Sequence, residues 1–333
     1  MYALLGISIV LAALLTINAL ATLLAAALWR ALQGRAQNWA AEMRARFLFA
    51  LRLFPMIGSV ACVLILLAPS YLTHEPTDTD EVVSAKLAVV AFVSAIGIAL
   101  ALWRGLAAWR ATRLLNANWL RHAEPLKLDG ISIPTYRIRH PFPVIAIVGA
   151  FKPRLFIATQ VFDALDEAEM AAALAHERGH LATFDNFKRT SLRACRDALL
   201  IVPCGRSLDC AWADASEAAA DEYAARGGAQ VALNLASALV KIARIVPPQT
   251  KPTMPALAHL VGEDTASVAR RVRRLTELAS QGCVFEQHRA FSSSLALWSS
   301  LCAFLFALIL TATDPTLLWV MHQAIEHMVL ALS

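Results

Sequence analysis

The sequence predicts an α-helical membrane protein with four transmembrane helices and an inserted, mainly α-helical α+β domain carrying a small antiparallel sheet. Three observations predict it. Hydrophobic residues make up 58% of the 333 positions and charged residues 17%, against about 45–50% and about 25% in soluble proteins. The apolar excess is gathered into four runs, and 24 of the 30 Lys and Arg residues lie between the third and the fourth. The same composition excludes disordered, collagen-like and nucleic-acid-arm classes, which need more charge and fewer apolar residues. The net charge of +5 reads as membrane orientation, with no nucleic-acid partner implied.

The first span covers 1–29, which holds no charged residue before Arg30. It lacks the basic start of a secretory signal and is long enough for a hydrocarbon core of about 30 Å. A loop, 30–52, leads to the second span, 53–72, with Pro55 and Pro69 near its ends. After a second loop, 73–86, comes the third span, 87–103, which Lys86 and Arg104 can lengthen by snorkelling. The polar block runs over 104–290, the fourth span over 291–313 and a tail over 314–333. In the tail an apolar-biased helix carries His322, Glu326 and His327. These histidines and His288 read as interfacial polar residues.

Loop charge sets the orientation. The first connection carries Arg30, Arg35, Arg44, Arg46 and Arg52, whereas the second carries Glu75, Asp78, Asp80 and Glu81 and, over 73–85, no Lys or Arg. The positive-inside rule then places the block in the cytoplasm and both termini outside, in a multi-pass protein of the cell inner membrane. Six cysteines without a paired spacing fit a reducing compartment and no disulfide framework.

Within the block, 104–122 prolongs the third helix. Short β-type runs follow at Ile131–Ile133, Tyr136–Ile138, Val144–Val148 and Leu155–Ala158, with a turn at 150–153 between the last two. Helical patterns cover Asp166–Phe184, 186–201, 213–226, 231–245 and 264–280, and Asp166 with Glu169 reads as a helix start. The three prolines of Val246–Pro255 mark a linker.

The helix from Asp166 contains His176-Glu177-Arg178-Gly179-His180, an H-E-x-x-H. The spacing puts two imidazoles on one face, one turn apart, where they can share one Zn²⁺ per chain. Glu177 stands beside them as a candidate general base. A zinc site of this kind needs a third protein ligand. The position six residues after His180, where one pattern carries histidine, is Asn186. Farther on, Glu217 and Asp221 lie one turn apart among alanines small enough for close helix packing. Glu217 is the candidate third ligand, and Asp221 can accept the free ring N–H of a ligand histidine, most simply His176. Asp185 reads as a helix N-cap or a site residue, and Tyr223 as a packing residue or an oxyanion partner. The run Arg270–Arg274 reads as a basic helix face against an anionic leaflet.

These motifs resemble the integral-membrane gluzincin peptidases of the BlaR/MecR type, metallopeptidase family fifty-six. The resemblance runs from the first span through 313. It rests on the span layout, Gly149–Leu155, His176–His180 with Asp185 five positions on, Glu217–Asp221, and Arg270–Leu275. It implies a zinc endopeptidase domain facing the cytoplasm, with the strand around Leu155–Ala158 near the substrate-binding edge. It also implies a transcriptional repressor or the chain itself as substrate, in a signal-transduction role. Nineteen residues follow Asp314 without a Ser-x-x-Lys, so a penicillin-binding sensor domain is not expected. HtpX-like and CAAX prenyl endopeptidases share the zinc motif with different spans and rank second. A signalling scaffold with a structural zinc is the non-enzymatic alternative. The partners expected are a protein or peptide substrate and the lipid bilayer, with a homo-oligomer left open.

Overall fold

The computed structural model describes residues 2–75, 83–128, 130–198, 204–246, 265–280 and 289–332. The linker 247–255, His288, Cys283 and the acidic stretch 76–82 lie outside the described residues. Among the described residues, three helices are long and apolar enough to cross a membrane: Tyr2–Ala36, Ala41–His74 and Ala85–Leu120. A fourth is counted if Cys302–Ala312 and Pro315–His327, bent by 91°, form one broken span.

Helix α1 spans Tyr2–Ala36. Residues 37–40 turn the chain into α2, Ala41–Cys62, so the helices run well into the basic connection on both sides. A π-helical turn, Val63–Leu67, joins α2 to α3, Ala68–His74. The π turn sits just before Pro69, whose ring would clash with a carbonyl of a regular α ladder. Helix α4, Ala85–Leu120, is started by Ser84, whose side chain accepts from the Leu87 N–H. Its last four turns leave the apolar run and carry the chain to the polar block.

The sheet has four short strands: β1 Glu124–Leu126, β2 Thr135–Ile138, β3 Ile145–Val148 and β4 Arg154–Ala158. Their order is β1-β2-β4-β3. The β1/β2 and β3/β4 pairs are antiparallel, but β2 and β4 are parallel. The sheet is therefore mixed, not antiparallel. The β3–β4 hairpin closes at Gly149 (φ 110°), where a Cβ would lie 2.7 Å from the Lys152 carbonyl oxygen. β2 precedes the hairpin and pairs with its second strand, so the two run the same way. One further expectation changes. Ile131–Ile133 is not a strand; its side chains pack on the core from an irregular segment. Leu155–Ala158, in β4, lies next to β3, one of the two edge strands.

Helices α5 Thr159–Ala164, α6 Glu167–Ala182, α7 Asp185–Ala198, α8 Cys204–Ala225, α9 Ala229–Ile245 and α10 Thr265–Ser280 complete the inserted region. Helix α6 opens with a complete capping box, Asp166 with Glu169. β2–β4, α6, α9 and α10 share one core built on Phe156, Ile157, Ala173, Leu235, Leu239 and Leu275. A separate cluster joins this region to the spans: Ala25 and Ala26 of α1, Leu48 of α2, Leu192 of α7, and Leu208 and Trp212 of α8. Arg52 of α2 is buried there and donates to Asp209 (3.1 Å). Glu222 accepts from the Ala41 N–H (3.0 Å) and pairs with Arg274.

Helices α11, Arg289–Ala312, and α12, Pro315–Leu332, end the described chain. Cys62, Cys195, Cys210 and Cys302 are free thiols.

Candidate metal centre

Helices α6 and α8 bring His176, Glu177, His180, Glu217 and Asp221 to one place. The contact is close because Gly179 has no side chain: a Cβ there would meet Ala220 Cα at 3.0 Å and Tyr223 Cβ at 3.1 Å. Glycine between the two histidines and alanines between the two acids let the helix axes approach until the side chains meet.

The imidazoles face each other, with His176 Nε2 and His180 Nε2 3.2 Å apart. Glu217 completes a triangle, Oε2 lying 3.6 Å from His176 Nε2 and Oε1 3.7 Å from His180 Nε2. One ligand atom from each of the three residues lies within 4.8 Å of the others. The opposite ring nitrogens are each held by a carboxylate. His176 Nδ1 is 2.9 Å from Asp221 Oδ1, and His180 Nδ1 is 2.7 Å from Asp185 Oδ2. Asp185 also accepts from the Ser216 hydroxyl at 2.6 Å. Each Nδ1 is therefore held from behind, so that Nε2 is the ring nitrogen each histidine presents to the shared space.

That donor set fits a zinc ion. Ligand atoms around tetrahedral zinc at about 2.0–2.1 Å are about 3.3–3.4 Å apart, close to the separations found. Glu217 Oε2 is buried and accepts no well-aligned hydrogen bond, its nearest cation being the Arg271 guanidinium. Two imidazole Nε2 atoms and a carboxylate turned towards one point are a donor set that a shared metal cation would satisfy.

Arg271 is the residue that sequence reasoning misplaced. It lies on α10, is buried, and donates to Asp221 through Nε (3.0 Å to Oδ2) and Nη2 (2.7 Å to Oδ1). Its Nη1 is 3.2 Å from Glu217 Oε2. Thus Arg270–Arg274 does not present its full charge to a leaflet: Arg271 faces the cluster, while Arg274 pairs with Glu222. The α9/α10 core turns this face inward by burying Val268 and Leu275.

Burial and charge set the protonation. Burial pushes the Glu177 carboxyl up, partly opposed by His180 and His176. Burial opposes charge on His180 also, but Glu217 and Asp185 outweigh it and push the imidazole up to about 10. For Asp221 burial is again the largest influence, yet Arg271 and His176 bring it down to about 2. Glu217 is held well below the usual range by His180, His176 and Arg271 against its own burial.

Asp185 begins α7 after Phe184, whose left-handed backbone (φ 55°) ends α6 and folds the chain back towards His180. The next residue, Asn186, does not reach the histidines. Its amide donates to the Ile147 and Gly149 carbonyls (2.8 and 3.2 Å), tying α7 to the end of β3. The Tyr223 Cβ packs beside Gly179, and Arg226 lies over its ring at 5.3 Å.

Apolar helices and this inserted region define a membrane-type metallopeptidase. The family model of Peptidase family M48, a zinc metalloprotease family, matches residues 146–294, from β3 to the start of α11. The chain is accordingly a hydrolase, a zinc metalloendopeptidase whose substrate is protein. No curated protein and no solved structure matches it.

Proposed function

We propose that the chain hydrolyses peptide bonds of a protein substrate at the cytoplasmic membrane face, with His176, His180 and Glu217 as ligands of one Zn²⁺ and Glu177 as general base. The facing Nε2 atoms at 3.2 Å, each imidazole fixed from behind by a carboxylate, carry this reading. Zinc bound there supplies a Lewis acid for the scissile carbonyl and for the attacking water. Glu177 takes the proton from that water and returns it to the leaving amine nitrogen. Burial raises its pKa, which makes the carboxylate a stronger proton acceptor. Asp221 and Asp185 orient the imidazoles, and Arg271 holds Asp221 in place. A substrate segment binds as an added strand on β3, an edge of the sheet, which Asn186 ties to the start of α7.

Two substrate classes follow from two observations. The match to Peptidase family M48 favours an HtpX- or CAAX-endopeptidase-like role in processing or clearing membrane proteins. The order of three apolar helices before the peptidase region and one pair after it favours the BlaR/MecR-like reading, with a repressor or the chain itself as substrate.

Comparing cellular protein N-termini with wild-type and Glu177→Gln enzyme tests both. The variant should keep its metal and lose about 10³-fold or more in cleavage, since the general base is removed. Equal cleavage by the two proteins would discard the mechanism.

A further inference from the structure

A second group of ligand-type side chains lies far from the peptidase cluster. Glu75 caps the C-terminus of α3, and His322 and Glu326 stand one turn apart on α12. One ligand atom from each lies within 4.8 Å of the others. His322 Nδ1 is 3.9 Å from Glu75 Oε2, and His322 Nε2 is 3.9 Å from Glu326 Oε1.

The surroundings are built. The Ser70 hydroxyl donates to the Leu318 carbonyl (2.7 Å), and Ile325 packs in one cluster with Leu67, Tyr71 and Leu87. Helix α12 is thus seated on α3 with Glu75 in the seam. The Glu75 side chain is 3% exposed. His322 Nδ1 is buried without a hydrogen-bond partner. The His74 ring stacks on His322, centroids 5.7 Å apart, while its own Nδ1 is 2.7 Å from Thr73 Oγ1.

We propose that Glu75, His322 and Glu326 form a second divalent-metal site, taking a zinc-type ion, that clips α12 to the end of the second apolar helix. One imidazole and two carboxylates suit zinc-type ions. Tetrahedral ligation needs ligand atoms about 3.4 Å apart. Nδ1, which faces Glu75, is the ring nitrogen the site would use, and the Glu326 side chain, 39% exposed and now nearer Nε2, can swing to that side. The ion is distinct from the peptidase one. Ala41 is bonded to Glu222 of α8 at one end of this helical segment and Glu75 is at the other, about 50 Å along it at 1.5 Å per residue.

The test uses the full chain in detergent, stripped with chelator and dialysed against Zn²⁺, with metal per chain measured by elemental analysis. Wild type should hold two ions, His322→Gln/Glu326→Gln one, and His176→Gln/His180→Gln one. A single ion in wild type that survives the His322→Gln/Glu326→Gln change overturns the proposal. Glu326→Gln alone, at a half-buried position, should weaken the second ion at least about tenfold in competition with a chromophoric chelator. An unchanged second affinity also overturns it. Neither readout depends on proteolysis.

Discussion

Arg271 donates two hydrogen bonds to Asp221, Nε to Oδ2 at 3.0 Å and Nη2 to Oδ1 at 2.7 Å, while the same Asp221 Oδ1 sits 2.9 Å from His176 Nδ1. The guanidinium fixes the carboxylate, and the carboxylate fixes the ring. Removing the cation leaves Asp221 buried and only partly paired, a change that costs about 3–5 kcal/mol in comparable buried pairs. Arg271→Gln should lower thermal stability and weaken zinc binding about 10–100-fold. Lys should rescue little, because one ammonium cannot make the two-pronged contact. Chelator competition and a melting curve check both expectations.

Asp185 plays the corresponding part for His180. Asp185→Asn can still accept a hydrogen bond, but it removes the charge that stabilises the Nδ1–H. Zinc affinity should fall about 10–100-fold with little change in folding, since Ser216 can still donate to the amide oxygen. Loss of folding without loss of affinity in the folded fraction would contradict this role.

Gly179 sets the distance between α6 and α8. A Cβ at 3.0 Å from Ala220 Cα pushes backbone against backbone. Overpacking of this kind costs about 1–3 kcal/mol. Gly179→Val should lose metal and activity together, because Glu217 moves away from both histidines. An active, zinc-loaded Gly179→Val protein would show that the helix spacing is not what assembles the cluster.

Glu169 supplies a pH test outside the metal cluster. Burial opposes its charge, but Lys241 (2.6 Å), Ser237 (2.6 Å) and the Asp166 N–H hold its pKa below the ordinary value of 4.5. A depressed acid contributes stability that is present above the unfolded pKa and lost as pH falls through the folded one. Stability at the α6/α9 contact should therefore fall as pH drops below about 4.5. Glu169→Gln should flatten that acid limb in a series of melting curves.

Much of the architecture is local and was legible. The uncharged runs mark the apolar helices because a bilayer admits few charges, and α6 announces itself through Asp166, Glu169 and the i, i+4 histidines. The Glu217–Asp221 pair was readable for the same reason, as one helical face. Less legible were the contacts made across the fold. Arg271 is separated from Asp221 by fifty residues, and a helical stripe of arginines looks the same whether it faces lipid or a buried carboxylate. The mixed sheet was missed because strand direction depends on which edge of β4 is left for β2, not on the composition of either strand. In the sequence Asn186 is only a residue unable to complete the histidine pattern, whereas in the fold its amide secures Ile147 and Gly149.

The sequence by itself determined the class of this protein, its apolar helices and the histidine and carboxylate pairs of α6 and α8, because hydropathy and helical period act within a few turns. Only the tertiary structure decided which charges meet: Asp185 with His180, Arg271 with Asp221, and Glu75 with His322. Those pairs form when distant helices are packed together, and burial then turns exposed charges into partners that must satisfy one another.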